Sequence, residues 1–199
     1  MTWTVFAVAI FNAMLINNVI LKQFLGICPF LGVSKKSSSA VGMGAAVTFV
    51  MVIASLVTYA IYSYVLVPFG IEYISTIAFI LVIASLVQLV EMILKKFSKS
   101  LYKALGVYLP LITTNCAILG VAEGNISNIY TDYGSSGMWL AVFTALGTAL
   151  GFTLIIFAFS SVREKLESSN VPEAWKGVPI SLVVAGIMSI AFLGLQGIL

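Results

Sequence analysis

The chain contains no histidine and only two cysteines among its 199 residues. The absence of histidine excludes imidazole as a metal ligand. The chain also lacks a glycine-rich phosphate-binding loop, which excludes nucleotide chemistry on this polypeptide. Two cysteines in apolar segments do not make a disulfide scaffold of the kind found in small secreted domains. We therefore expect no catalytic centre on this chain alone.

Charge is equally scarce. Only 9% of the residues are charged, against about 25% in an average soluble domain, and the mean hydropathy of +1.12 excludes a water-soluble fold. Six charge-free runs approach or exceed the roughly 20 residues that a helix needs to cross a bilayer: residues 1–21, 37–71, 73–90, 104–122, 133–162 and 177–199. Because these runs do not alternate, they exclude a β-barrel and predict an all-α membrane protein with six transmembrane helices.

The few charges alternate between the two sides of the predicted bundle. The connections after helices 1, 3 and 5 carry all ten basic residues: Lys22, Lys35, Lys36, Lys95, Lys96, Lys99, Lys103, Arg163, Lys165 and Lys176. The other connections carry only Glu72, Glu123 and Asp132. Because basic residues stay on the cytoplasmic side, we expect both termini outside. Topology accounts for the basic clusters, so no nucleic-acid partner is expected.

The two cysteines mark an internal repeat. Cys28 and Cys116, offset by 88 residues, each begin the pattern C-x-x-L-G-V. We predict one transmembrane domain, 1–199, built from two three-helix repeats at approximately 1–96 and 97–199. An odd number of spans per repeat places the two halves in opposite orientations, as in inverted-repeat transporters. The two thiols then approach the bilayer midplane from opposite sides, near the symmetry axis.

Helices 1 and 4 are predicted to be interrupted. The stretch from Val5 to Val33 would be roughly 43 Å long as one continuous helix, which exceeds the bilayer core. Gly26 and Pro29 are placed where it would unwind, and Pro110 predicts the same in helix 4. The remaining spans are expected near 41–67, 73–94, 138–161 and 180–199. Residues 122–137, rich in Asn, Ser and Gly, are predicted to form the longest outer connection.

Chemistry alone leaves three uses for the cysteine pair. Buried cysteines often act as small packing residues. A disulfide between the halves is a second option, made less attractive by the midplane depth. Metal ligation is the third, because two thiolates are half of the set that holds an iron–sulfur cluster and a partner chain would supply the rest.

Two long segments carry a family resemblance. Residues 19–36 and 109–121 read VILKQFLGICPFLGVSKK and LPLITTNCAILGV. They resemble the A-type subunit of the bacterial Rnf complex and, less closely, the E-type subunit of the Na⁺-translocating NADH:quinone reductase. Agreement extends to the segment around Gln88 and Glu91 and to Arg163-Glu164-Lys165, so the resemblance covers essentially the whole chain.

The resemblance implies a subunit of a bacterial inner-membrane complex that couples electron transfer between ferredoxin and NAD to Na⁺ or H⁺ translocation. It implies a homologous partner of opposite topology, the E-type Rnf subunit, and flavin-bearing membrane subunits of the D and G types. In the family a [2Fe–2S] cluster lies between the A-type and E-type subunits, with two cysteines from each. Carried over to this chain, those ligands are Cys28 and Cys116.

Four further polar residues are candidates in the membrane. Glu91 is the only carboxylate within a span, and it is expected either on the ion path or in an interfacial pair with Lys95. Asn115 and Thr114 are expected to satisfy interrupted backbone or to donate hydrogen bonds to cluster sulfurs. Lys22 is expected to extend to the inner surface or to balance the cluster's charge.

Two other functions compete with this interpretation. Inverted repeats with interrupted helices are also the architecture of stand-alone secondary transporters. The E-type subunit of the NADH:quinone reductase is the other alternative, and the Cys-Pro-Phe form around Cys28 favours Rnf over it.

Overall fold

The computed structural model describes residues 3–33, 37–97, 109–167, 172 and 175–195. Within these ranges every regular element is a helix, which confirms the all-α prediction. The helices are α1 (Trp3–Phe11), α2 (Ile27–Val33), α3 (Ser37–Ile61), α4 (Ser75–Phe97), α5 (Leu109–Thr113), α6 (Cys116–Gly124), α7 (Met138–Glu167) and α8 (Val178–Leu195). Short π-helical turns extend α1 to Ile16 and carry α3 on towards Phe69.

Among the residues that the structure describes, three helical segments are long and apolar enough to cross a membrane: Ala40–Phe69, Glu72–Met92 and Met138–Leu166. They correspond to the predicted helices 2, 3 and 5. Shorter apolar helices cover Thr4–Ile16 and Val178–Gly194, where helices 1 and 6 were predicted. The start of the predicted helix 4 lies outside the described residues. The six-span inverted repeat therefore stays a prediction.

The outer connection predicted at 122–137 is mostly helical. From Gly124 this connection continues through a π-helical segment, Asn125–Tyr130. A short 3-10 turn, Gly134–Gly137, completes the connection before α7 begins. The polar side chains that suggested a loop bond their own helix instead: Asn128 Nδ2 donates to the carbonyl O of Gly124 at 2.9 Å. Such local bonds let asparagine and serine remain within a helix.

Helix α7 forms the centre of the bundle, between α1 and α3. Its small residues Gly147 and Gly151 allow this contact. A Cβ atom on Gly147 would lie 2.7 Å from the carbonyl O of Ile10, and one on Gly151 would lie 2.6 Å from that of Met14. Helix α7 therefore packs closely against α1 and its π-helical extension, the part of the first helix that precedes the interruption.

Candidate functional site

The first interruption separates Ile16 from Ile27. Asn18, which is buried, supports it by donating from Nδ2 to the carbonyl O of Met14 at 3.0 Å and accepting at Oδ1 from the Ile20 amide at 3.1 Å. Ser189 of α8 donates to the carbonyl O of Leu21 at 2.7 Å. Backbone groups within a membrane need such partners. The break is therefore an ordered, hydrogen-bonded structure.

Pro29 lies inside α2 rather than in the break. It is the third residue of that helix, where a missing amide hydrogen costs no intrahelical bond. Gly26 is the residue that permits the turn, because its φ of 81° is in the left-handed region that glycine adopts most readily. The interruption was predicted correctly, but Cys28 itself lies within α2, one residue after the helix begins.

The second interruption lies at Thr114 and Asn115, beyond Pro110, which is within α5. Asn115 is the N-cap of α6: its backbone is extended and its Oδ1 accepts from the amide of Ala117 at 3.1 Å. Asparagine is among the preferred N-cap residues. Cys116 is therefore the first residue of a capped helix, and the break follows from the cap rather than from the proline.

The two interruptions contact each other. A Cβ atom on Gly26 would lie 3.2 Å from Asn115 Oδ1, 3.2 Å from Ala117 Cβ and 3.1 Å from the ring of Phe152. One helical turn further along α6, Gly120 lies against the side chain of Leu25. The turn that precedes Cys28 therefore packs on the residues that flank Cys116.

Both cysteines are free thiols on exposed residues. The residues two positions further along each helix are buried: Phe30 and Ile118 are each 1% exposed. The buried packing role considered for the cysteines does not agree with this exposure, and the structure contains no disulfide between the two. The two interrupted helices meet at the contact around Gly26, which we call the crossing. Each of them therefore presents one thiol at the surface of this chain.

Within the described part of the chain, no group of three or more His, Cys, Asp or Glu side chains is placed to hold a metal ion. The two thiols fit half of a four-thiolate donor set, and the other half would have to come from a second chain. Asn115 adds a further observation. It is only 4% exposed, and its Nδ2 has no hydrogen-bond acceptor among the described residues.

The other predicted candidates lie in different surroundings. Thr114 is exposed next to Asn115, and Glu91 is half-buried in α4, a helix that packs against α5 and α6. Lys22 is exposed, and its Nζ donates to Asn17 Oδ1 at 2.5 Å, while Asn17 Nδ2 donates to Asn12 Oδ1 at 2.6 Å. The ammonium group of Lys22 thus belongs to a short polar chain along the first interruption.

A cavity of about 500 Å³, not expected from the sequence, lies beside this polar chain. Polar side chains of Asn12, Asn17, Gln23 and Asn128 contribute to its lining, and so does Gly120, one helical turn beyond Cys116. The asparagines in the otherwise apolar first helix could have indicated this cavity, because polar residues within a membrane are usually functional.

Arg163 is a second feature that was not expected from the sequence. Its place in the sequence suggested only a marker of topology, yet the residue is only 7% exposed. Its Nη1 donates to the carbonyl O of Leu31, in α2, at 2.8 Å. The two residues are 132 positions apart in the chain, so no local pattern predicts this bond.

The fold and site define a helical membrane protein in which two interrupted helices present paired thiols. The family model described as "Rnf-Nqr subunit, membrane protein" matches residues 6–199, and the chain belongs to this family. It is 59% identical over 186 residues, 94% of each chain, to the A-type subunit of the Na⁺-translocating ferredoxin:NAD⁺ oxidoreductase complex of Acetobacterium woodii. It is 50% identical over 184 residues, 92% of each chain, to the A-type subunit of the ion-translocating oxidoreductase complex of an Azoarcus species. These relatives confirm the resemblance to the A-type subunits.

The contact at Gly26 predicts how one substitution there behaves. Gly26→Ala is expected to destabilise the protein by about 1–2 kcal/mol through its left-handed backbone and by roughly 1–3 kcal/mol more through overpacking. The matched control is Gly70→Ala, since Gly70 has a φ of 66° and open space around it. Thermal denaturation in detergent measures both variants. Equal losses of stability in Gly26→Ala and Gly70→Ala would contradict the close packing around Gly26.

Proposed function

We propose that this chain is a membrane subunit of a ferredoxin:NAD⁺ oxidoreductase complex that couples electron transfer to the translocation of Na⁺ or H⁺. Family membership over nearly the whole chain supports this function, together with the names of relatives at 50% and 59% identity. The observation that carries it is the contact between two interrupted helices that each bring a free, exposed cysteine to the crossing.

Cys28 and Cys116 would supply two of the four thiolates of an intramembrane [2Fe–2S] cluster, which accepts and releases single electrons when bound. Their exposure supports this role, because ligands shared with a second subunit must be accessible at the surface of this one. The partner proposed to provide the other two thiolates is the homologous E-type subunit, within a complex that also includes the flavin-bearing D-type and G-type subunits.

The remaining residues of the site position and enclose the thiols. The Gly26 turn and the Asn115 cap hold the two cysteine-bearing segments against each other, and the Phe152 ring closes one side of this contact. The buried Nδ2 of Asn115 supplies an unused donor next to Cys116. Hydrogen bonds of this kind around iron–sulfur ligands raise or lower the reduction potential.

We place the chain in the bacterial inner membrane with both termini outside. The alternation of basic residues between the two sides of the predicted bundle supports this orientation. A C-terminal tag that reacts with an impermeant reagent only from the cytoplasmic side would reverse the assignment.

A stand-alone transporter is the second candidate, and the cavity beside the interrupted first helix is the observation that favours it. Substrate uptake by vesicles that contain this chain alone would support the transporter. Dependence of transport on the whole complex supports the proposed function. The NADH:quinone reductase alternative is disfavoured, because both relatives are named as A-type subunits of oxidoreductase complexes.

Cys28→Ser and Cys116→Ser should each abolish both electron transfer and ion transport, because each removes one ligand of the proposed cluster. The [2Fe–2S] EPR signal of the purified, reduced complex and its iron content measure the loss. Gly32→Ala is the control in the same helix, since a Cβ atom there meets nothing within 4 Å. Retained signal in either serine variant of an assembled complex would refute the ligand assignment.

Asn115→Ser should keep the helix cap, because serine caps as well as asparagine, while it removes the Nδ2 donor. We expect the complex to assemble and the midpoint potential of the cluster to fall, since a hydrogen bond to sulfur stabilises the reduced form. Redox titration followed by EPR measures the potential. An unchanged potential would leave Asn115 with the capping role only.

Glu91 is proposed to lie on the ion path, within a helix that packs against both sides of the second interruption. Glu91→Gln should reduce the number of ions moved per electron while ferredoxin oxidation continues. The control is Glu72→Gln, because Glu72 is exposed at the outer turn between α3 and α4. The measurement is ion transport by proteoliposomes that contain the complex. An unchanged number of ions moved per electron in Glu91→Gln would contradict the proposed role of Glu91 on the ion path.

A further inference from the structure

Arg163 is the only arginine in the chain and is a buried cation. A residue that serves only to mark the cytoplasmic side would keep its charge in water. Burial of a charge is costly unless hydrogen-bonding partners replace the lost water. The burial of Arg163 therefore requires a role inside the protein.

The carbonyl that Arg163 binds belongs to the last turn of the helix that carries Cys28. Leu31 is the fifth residue of α2 (Ile27–Val33), in the last turn of that helix that the structure describes. Carbonyls in the last turn of a helix have no partner within that helix, and they carry partial negative charge. A guanidinium provides both a donor and a positive charge. Arg163 thus caps the end of α2.

One face of α7 holds the whole segment around Cys28. Phe152, Phe159 and Arg163 share this face, because they are spaced by seven and four residues. Phe152 lies against the Gly26 turn, and Phe159 stacks on Phe30 with ring centroids 4.1 Å apart. The beginning, middle and end of this segment are therefore each fixed by the same helix.

The second cysteine is supported in a different way. Cys116 follows its own N-cap, Asn115, which bonds within the same helix. Cys116 directly follows this local cap, whereas the helix that carries Cys28 accepts a bond from a residue far away in the sequence. A substitution at Arg163 should disturb one cysteine and spare the other.

We propose that Arg163 is a positioning residue that fixes the thiol of Cys28 by capping α2. The consequence for the cluster rests on the function proposed above, while the capping itself does not. Loss of the bond from Arg163 to Leu31 can therefore be followed in two separate ways. One is the rate of amide exchange in α2, and the other is the EPR spectrum of the cluster.

The test combines hydrogen–deuterium exchange with EPR on the purified complex carrying Arg163→Gln. We expect the amides of α2 to exchange roughly tenfold faster, because a hydrogen bond from a charged donor is lost, and those of α6 to stay unchanged. The EPR line shape of the reduced cluster should change as well. Arg163→Lys should restore both properties in large part, since it keeps a charged donor. The control is Lys165→Gln, which removes an exposed charge two residues away.

Unchanged exchange of α2 in Arg163→Gln would overturn the inference. Equally accelerated exchange in α2 and α6 would also overturn it, because Arg163 would then support the whole bundle. Faster exchange in α2 with an unchanged EPR spectrum would reject positioning of the thiol. If the wild-type complex shows no [2Fe–2S] signal, the proposed cluster fails, and the exchange result alone decides whether Arg163 caps α2.

Discussion

The contact between the Gly26 turn and the capped start of α6 is the constraint on which the rest of the structure depends. An interrupted helix exposes backbone groups that the membrane interior cannot hydrate. Here Asn18 and Ser189 satisfy the first break, and Asn115 satisfies the second. Because the two breaks also pack on each other, neither can close into a regular helix without displacing the other.

This constraint explains why a chain so poor in polar residues can present a chemical site. Both thiols come directly after the ordered breaks, since Cys28 is the second residue of α2 and Cys116 is the first residue of α6. Central helix α7 supports the arrangement through Phe152, Phe159 and Arg163. Under the proposed function the pair would be half of a donor set, and the cluster would be complete only within an assembly. Membership of a family of membrane-protein subunits agrees with this proposal.

Much of this architecture was predictable from sequence. Long charge-free runs predicted the helices, because a bilayer leaves few alternatives for the backbone. The excess length from Val5 to Val33, together with Gly26, Pro29 and Pro110, predicted that helices 1 and 4 are interrupted. Proline was a poor guide to their position, since Pro29 and Pro110 both lie within helices. Residues 125–133 were missed because their composition is that of a loop, while side chains such as Asn128 bond their own helix. The bond from Arg163 to Leu31 joins distant residues and needs the tertiary structure to be seen.

The most direct test of the central claim is a high-resolution cryo-electron microscopy map of the assembled, active complex. We predict iron density within bonding distance of the sulfur atoms of both Cys28 and Cys116, with two further cysteines from a neighbouring subunit. A map in which the two sulfur atoms contact only lipid or protein, with no metal density between them, would contradict the claim.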